Sequence, residues 1–147
     1  MGDSVRKLKN YALKGFLFHG SPASKLKRLT PKQATDAGNN KWNIDKAVFA
    51  TDQPSAAVIF AIINLNKIKG SGTWSVNWEN NEVITALPER WLNCIKKIKG
   101  YIYVVKQDTF KEKSHNQYKS KVSVVPIDKI EVSFNDYIEF GGMVKLT

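Results

Sequence analysis

Apolar and polar positions alternate along most of this chain, and a helical period interrupts them once. Gly15-Phe16-Leu17-Phe18-His19 reads as a strand ending in a Gly20-Ser21-Pro22 turn. Its period of two puts Leu17 and His19 on one face and Phe16 and Phe18 on the other. Residues 20–46 are polar and loop-like, with Pro22, Pro31 and Gly38-Asn39-Asn40. Ala47-Val48-Phe49-Ala50-Thr51 reads as a second strand.

A helix is predicted next. Asp52 is placed to cap it, and Pro54 suits its first turn. Ala56, Ala57, Phe60, Ala61 and Ile63 follow at helical spacing, and Lys67-Ile68-Lys69-Gly70 has the basic residues and the glycine of a helix end. Beyond it the pattern is mostly β. Trp74, Val76 and Trp78 alternate, the turn Glu79-Asn80-Asn81 follows, and Val83 to Leu87 can pair back as a hairpin. Pro88 to Lys97 reads as a short helix and Gly100 to Val105 as a strand. Lys106 to Ser120 reads as a long polar loop. Val122 to Val125, Ile130 to Phe134 and Met143 to Leu146 are further strands, and residues 1–14 a short helix or basic arm. Many short strands with one main helix, no repeat and no linker predict one α+β domain over residues 1–147.

Composition narrows the function classes. Cys94 is the one cysteine, so no internal disulfide forms, as suits a reducing compartment. The longest apolar run, Ala56 to Ile63, is too short to span a bilayer, and no signal peptide is read at the start; a cytoplasmic protein with no membrane partner is expected. The formal net charge is +10. The span from Arg6 to Arg28 holds basic residues and no acid, and Lys96 to Lys121 has only Asp108 and Glu112 as acids. Such clusters attract phosphate, so a nucleotide, a nucleic acid or another acidic partner is one reading, and a lysine-rich solvated surface is the other.

Several chemistries are disfavoured. His19, His115 and Cys94 match no zinc-ligand spacing. There is no Gly-x-Ser-x-Gly elbow, no Walker A loop and no Gly-x-Gly-x-x-Gly after a strand. What remains is Phe18-His19-Gly20-Ser21-Pro22 at one strand end and Val48-Phe49-Ala50-Thr51-Asp52 at another, the second opening a helix. The imidazole offers a donor and an acceptor. Gly20 admits close approach to a backbone whose N–H and C=O complement a carboxamide, and Phe49 offers a flat apolar face. Taken singly, His19 reads as a histidine satisfied in a turn and Phe49 as core.

The order of these pieces resembles the ADP-ribosyltransferase superfamily, and most of all the compact rifampin ADP-ribosyltransferases. The resemblance rests on Phe18-His19-Gly20-Ser21 at the end of an early strand, on Phe49-Ala50-Thr51-Asp52 running into an alanine-rich helix, on Gly100-Tyr101-Ile102-Tyr103-Val104-Val105, and on Pro126-Ile127-Asp128-Lys129-Ile130 before a last strand. It covers roughly residues 15 to 135, and poly-ADP-ribose polymerases and RNA 2′-phosphotransferases share the same cleft. It implies split antiparallel sheets with a main helix after the second strand, NAD as substrate, and mono-ADP-ribosyl transfer to an acceptor. It implies that His19 binds the nicotinamide ribose, that Gly20 holds the carboxamide, that Ser21 or Thr51 touches the same ribose, that Phe49 stacks on nicotinamide where the family has a tyrosine, and that Ser55 reaches the same pocket. The family's glutamate, near the start of a late strand, has no counterpart beside Val122 to Val125, where Lys119, Ser120 and Lys121 lead in. Glu112, or Asp108, stands as the substitute catalytic acid, and Glu131 reads as a solvated charge. Two alternatives follow: a catalytically inactive basic binding module on the same fold, and an RNA 2′-phosphotransferase-like enzyme, for which Arg28 and Arg90 are the nearest arginines.

Overall fold

The computed structural model describes residues 2–32, 46–68 and 70–147. The Gly38-Asn39-Asn40 turn and Lys69 lie outside them. The class is α+β, with two sheets and four α-helices among the described residues. The opening segment forms α1 (Asp3–Leu13), which buries Val5 and Leu8 and so is a packed helix rather than an arm.

The larger sheet contains β1 (Leu17–Ser21), β2 (Val48–Thr51), β5 (Lys99–Val105), β6 (Glu112–Ser114), β7 (Gln117–Ser120) and β8 (Asp128–Ser133), in the order β6-β7-β2-β1-β5-β8. Every pair in it is antiparallel. The smaller sheet has β4 (Glu82–Leu87) between β3 (Ser75–Glu79) and β9 (Met143–Leu146), with β4 and β9 parallel. Asn80 and Asn81 both take positive φ between β3 and β4, the two-residue turn that matches strand twist.

The helix α2 (Pro54–Ile62) is the centre of the molecule. Ala56, Ala57, Val58, Ile59, Ala61 and Ile62 are all buried in it, so it is apolar all round and is packed on more than one side. It lies on the backbone of the large sheet. A Cβ built on Gly20 would fall inside contact distance of the Ala57 carbonyl oxygen and 2.8 Å from the Ala61 nitrogen; one built on Gly100 would collide with the Ala61 carbonyl. Two glycines on adjacent strands and two alanines on the helix thus set how closely the layers approach. The other face of the sheet carries a second cluster, Leu17, Leu29, Val48, Ala50, Tyr103, Val105 and Phe110. Leu17 and Phe18 therefore face opposite layers, as the period of two predicts.

Several expectations from the sequence need correction. First, α2 stops at Ile62 rather than running to Gly70, because the Asn64 carboxamide oxygen accepts the Asn66 N–H and favours a turn over further helix. Secondly, the residue preceding α2 is Gln53, not Asp52, whose carboxylate accepts from Asn116 at 3.0 Å and Tyr118 at 3.3 Å. Thirdly, the stretch read as a loop over Lys106 to Ser120 contains the β6–β7 hairpin. Fourthly, Val122 to Val125 form no strand beyond one bridge between Val124 and Leu29, and Val122 and Val125 are exposed. Among the described residues the other helices are α1, which is longer than α2, and two shorter ones: α3 (Leu92–Ile95), which follows one 3-10 turn, Glu89–Trp91, and α4 (Phe134–Glu139). The last begins at Phe134, which therefore leaves the β8 face; the Asp136 carboxylate accepts the Ser133 N–H at 2.8 Å.

Candidate functional site

The large sheet is two ladders joined by one rung. β1 pairs with β5 at five positions and β2 with β7 at four, but β1 and β2 meet only at Phe18 and Thr51. Beyond that rung the strands separate, and His19 bridges the gap. Its Nδ1 lies 2.6 Å from the Phe49 carbonyl oxygen, which can only accept, so Nδ1 carries the proton. In the neutral ring this leaves Nε2 as an acceptor. Burial pushes the His19 pKa below the ordinary histidine value; the Phe49 carbonyl opposes this, and the nearby Lys32 charge adds to the lowering. His19 is therefore neutral at pH 7.

That lowering fixes a pH dependence. Above the ordinary histidine pKa of about 6.5, folded and unfolded forms are both neutral at this residue. Below it the unfolded chain takes up a proton and the folded one does not, so stability is lost as pH falls toward the folded pKa. We expect the urea midpoint to drop between neutral pH and pH ~5.5 by more in the wild type than in His19→Asn, which has no imidazole to titrate there. Equal pH slopes would contradict the assignment.

A cleft of about 1000 Å³ opens at the split. One wall is Phe18, His19, Gly20, Phe49, Ala50 and Thr51. The opposite wall is formed by Val76 and Trp78 of β3 and by Trp74 just before it, joined by Phe60 of α2, whose ring meets Trp74 edge-on at 5.9 Å. The indole N–H groups of Trp74 and Trp78 are buried without a partner, as is that of Trp91 in the core. The third side is the β6–β7 turn, Ser114, His115, Asn116 and Gln117. This turn is clamped to β2: the Thr51 hydroxyl donates to the Asn116 carbonyl at 2.7 Å, the Asp52 N–H donates to it at 3.2 Å, and the Asn116 amide donates to Asp52. The described lining holds aromatic rings, amides, small hydroxyls and two imidazoles, with no carboxylate, lysine or arginine.

The residues singled out from sequence divide into two groups. His19, Gly20, Phe49 and Thr51 line one wall together. The space that the missing Gly20 side chain leaves is occupied by α2. The Thr51 hydroxyl is engaged on both sides, donating to Asn116 and accepting the Gln53 N–H at 3.1 Å. Ser21 ends β1, accepts the Ala23 N–H and is not part of the lining, nor is Ser55 in the first turn of α2. Glu112 sits on β6, half-exposed, with its carboxylate 3.7 Å from the buried Lys119 ammonium rather than in the cleft. Asp108 is exposed and also away from the lining, and Glu131 is an exposed partner of Lys99 at 3.6 Å. Arg28 and Arg90 do not line the cleft, and no three His, Cys, Asp or Glu side chains among the described residues converge as metal ligands.

Comparison with family models, characterised proteins and solved structures gives no match for this chain.

Sequence reasoning missed the third side altogether. By sequence His115 enters only as a residue that fits no metal-ligand spacing, and Asn116 and Gln117 fall in the stretch that reads as loop. The available signal was the residue type at the turn: His115 has φ +55°, a conformation in which histidine is enriched among non-glycine residues. Because β7 rather than Val122–Val125 is the strand that starts at the cleft, the residue at its head is Gln117, opposite Thr51. No helix among the described residues is long and apolar enough to cross a membrane.

Proposed function

We propose that the cleft binds NAD and that the protein is a mono-ADP-ribosyltransferase-like domain. The observation that carries this reading is the His19 bridge, where β1 and β2 part. The bond to Phe49 fixes the ring's tautomer and leaves Nε2 able to accept a hydroxyl proton, as the nicotinamide ribose requires. Phe49 supplies the face for the nicotinamide ring, and the Gly20 backbone the complement to its carboxamide. The cleft volume stands at the upper end of the range for small-molecule sites, which suits a dinucleotide. The split of the large sheet, with α2 after its second strand, further supports an ADP-ribosyltransferase-like fold.

One observation favours a second reading, a basic module that binds NAD without transferring ADP-ribose. The described lining has no carboxylate to stabilise a developing positive ribose, and Gln117 heads β7 with a neutral amide. An RNA 2′-phosphotransferase-like activity has less support, since neither Arg28 nor Arg90 lines the cleft.

The experiment is to add NAD to the purified protein and follow both the melting temperature and the release of nicotinamide. Stabilisation with release supports the transferase. Stabilisation without release supports the binding module. Neither effect overturns the NAD reading.

A further inference from the structure

We propose that His115 is the base on the acceptor side of this cleft. It takes the proton from the nucleophile that attacks the ribose carbon of NAD. The inference rests on the NAD reading above and adds a catalytic residue to it.

The chain has two histidines, and both line one cleft from different elements, His19 on β1 and His115 in the β6–β7 turn. Among the described lining groups, aromatic rings, amides and hydroxyls do not take up protons near pH 7. The two imidazoles are the lining side chains that have a ring nitrogen able to accept a proton from a nucleophile. His19 is the poorer base, because its Nδ1–H is committed to the Phe49 carbonyl and burial disfavours its charged form. His115 is exposed at the cleft mouth, where a proton can pass on to water.

The turn that carries His115 is held in place. Thr51, Asp52 and Asn116 tie it to β2 through three hydrogen bonds, and Tyr118 adds a fourth to Asp52. The charged groups around the turn are Asp52, Lys113 over the Tyr118 ring on β6, and the Glu112–Lys119 pair further along the hairpin. Glu79 and Glu82 flank the Asn80-Asn81 turn that lines the opposite wall, and Lys32 acts on His19. None of the acids is itself in the lining.

The step balances without another reactant. The bond from the ribose carbon to nicotinamide breaks, and its electron pair leaves with the nicotinamide nitrogen, which becomes neutral. The oxygen of the nucleophile bonds to the ribose carbon, and its proton passes to His115 and then to solvent. With water as nucleophile the products are ADP-ribose, nicotinamide and a proton.

The test uses water as acceptor and the full chain. Nicotinamide release from NAD is measured across pH for the wild type, for His115→Asn, which tolerates positive φ, and for His115→Gly with and without added imidazole. NAD affinity is measured separately by calorimetric titration. We expect His115→Asn to bind NAD like the wild type and to release nicotinamide on the order of 100-fold more slowly; imidazole should restore part of the His115→Gly rate. A His115→Asn rate equal to that of the wild type, or a His115→Gly rate that imidazole leaves unchanged, overturns the proposal. NAD binding by the wild type without release overturns it too, while leaving the NAD reading intact. No binding at all overturns the reading beneath it.

Discussion

Replacing Gly20 with alanine is expected to destabilise the protein by about 3 kcal/mol, with Gly100→Ala close behind. Overpacking usually costs less where a side chain can turn aside. Here the obstacles at Gly20 are the carbonyl oxygen of Ala57 and the nitrogen of Ala61, both helix backbone. At Gly100 it is the Ala61 peptide group and its Cβ. Relief therefore requires α2 to lift from the sheet by about an ångström, which loosens close-packed contacts along much of the helix. A natural domain has only about 5–15 kcal/mol of stability to lose. Urea unfolding of each variant checks this. The pair supplies a sharper result: once one methyl has lifted the helix, the second meets less resistance, so the double variant should lose less than the sum of the singles. Losses under 1 kcal/mol for both singles would show that the layers are not in contact through these glycines.

The second large effect concerns His19. His19→Asn keeps an amide able to donate to the Phe49 carbonyl and removes the Nε2 acceptor. It should fold with a melting temperature near that of the wild type and bind NAD about 10- to 100-fold more weakly, the loss of one buried hydrogen bond between neutral groups and its desolvation cost. His19→Ala removes the link to Phe49 as well. It leaves that carbonyl without its imidazole partner where the strands part, so it should lose about 1–3 kcal/mol of stability in addition to affinity. The contrast between the two variants separates the bridging role from the ligand role. Equal affinity for NAD in His19→Asn and the wild type would remove Nε2 from the site.

The near half of this site was legible in the sequence, and the far half was not. His19 on one strand, and Phe49 on another that runs into a helix, are local patterns that survive into the fold, although His19 lies mid-strand opposite Tyr103 and Gly20 and Ser21 continue β1 instead of turning. What Gly20 does is not local. The sequence marks a place where something approaches the backbone closely, but not that the approaching group on the helix side is Ala57 and Ala61 of α2. The β6–β7 hairpin was missed because Gln117, Lys119 and Ser120 read as polar loop. Each is accommodated by a tertiary partner that period counting cannot see: Gln117 by its rung with Thr51, Lys119 by Glu112, and Ser120 by the Thr109 hydroxyl at 2.8 Å. Reading that stretch as loop moved the late strand to Val122–Val125, and with it the search for an acid. By contrast, α4 carried its own start signal in Ser133-x-x-Asp136, which the apolar run through Phe134 obscured.

On the NAD reading, the His19 ring, fixed by Phe49, presents Nε2 to the ligand. With two histidines in the chain, the ¹⁵N spectrum of the imidazoles tests it directly. His19 should be neutral at pH 7 with its proton on Nδ1, and added NAD should shift its Nε2 resonance toward that of a hydrogen-bonded acceptor. A proton on Nε2, or a His19 signal that saturating NAD leaves unmoved, would contradict it.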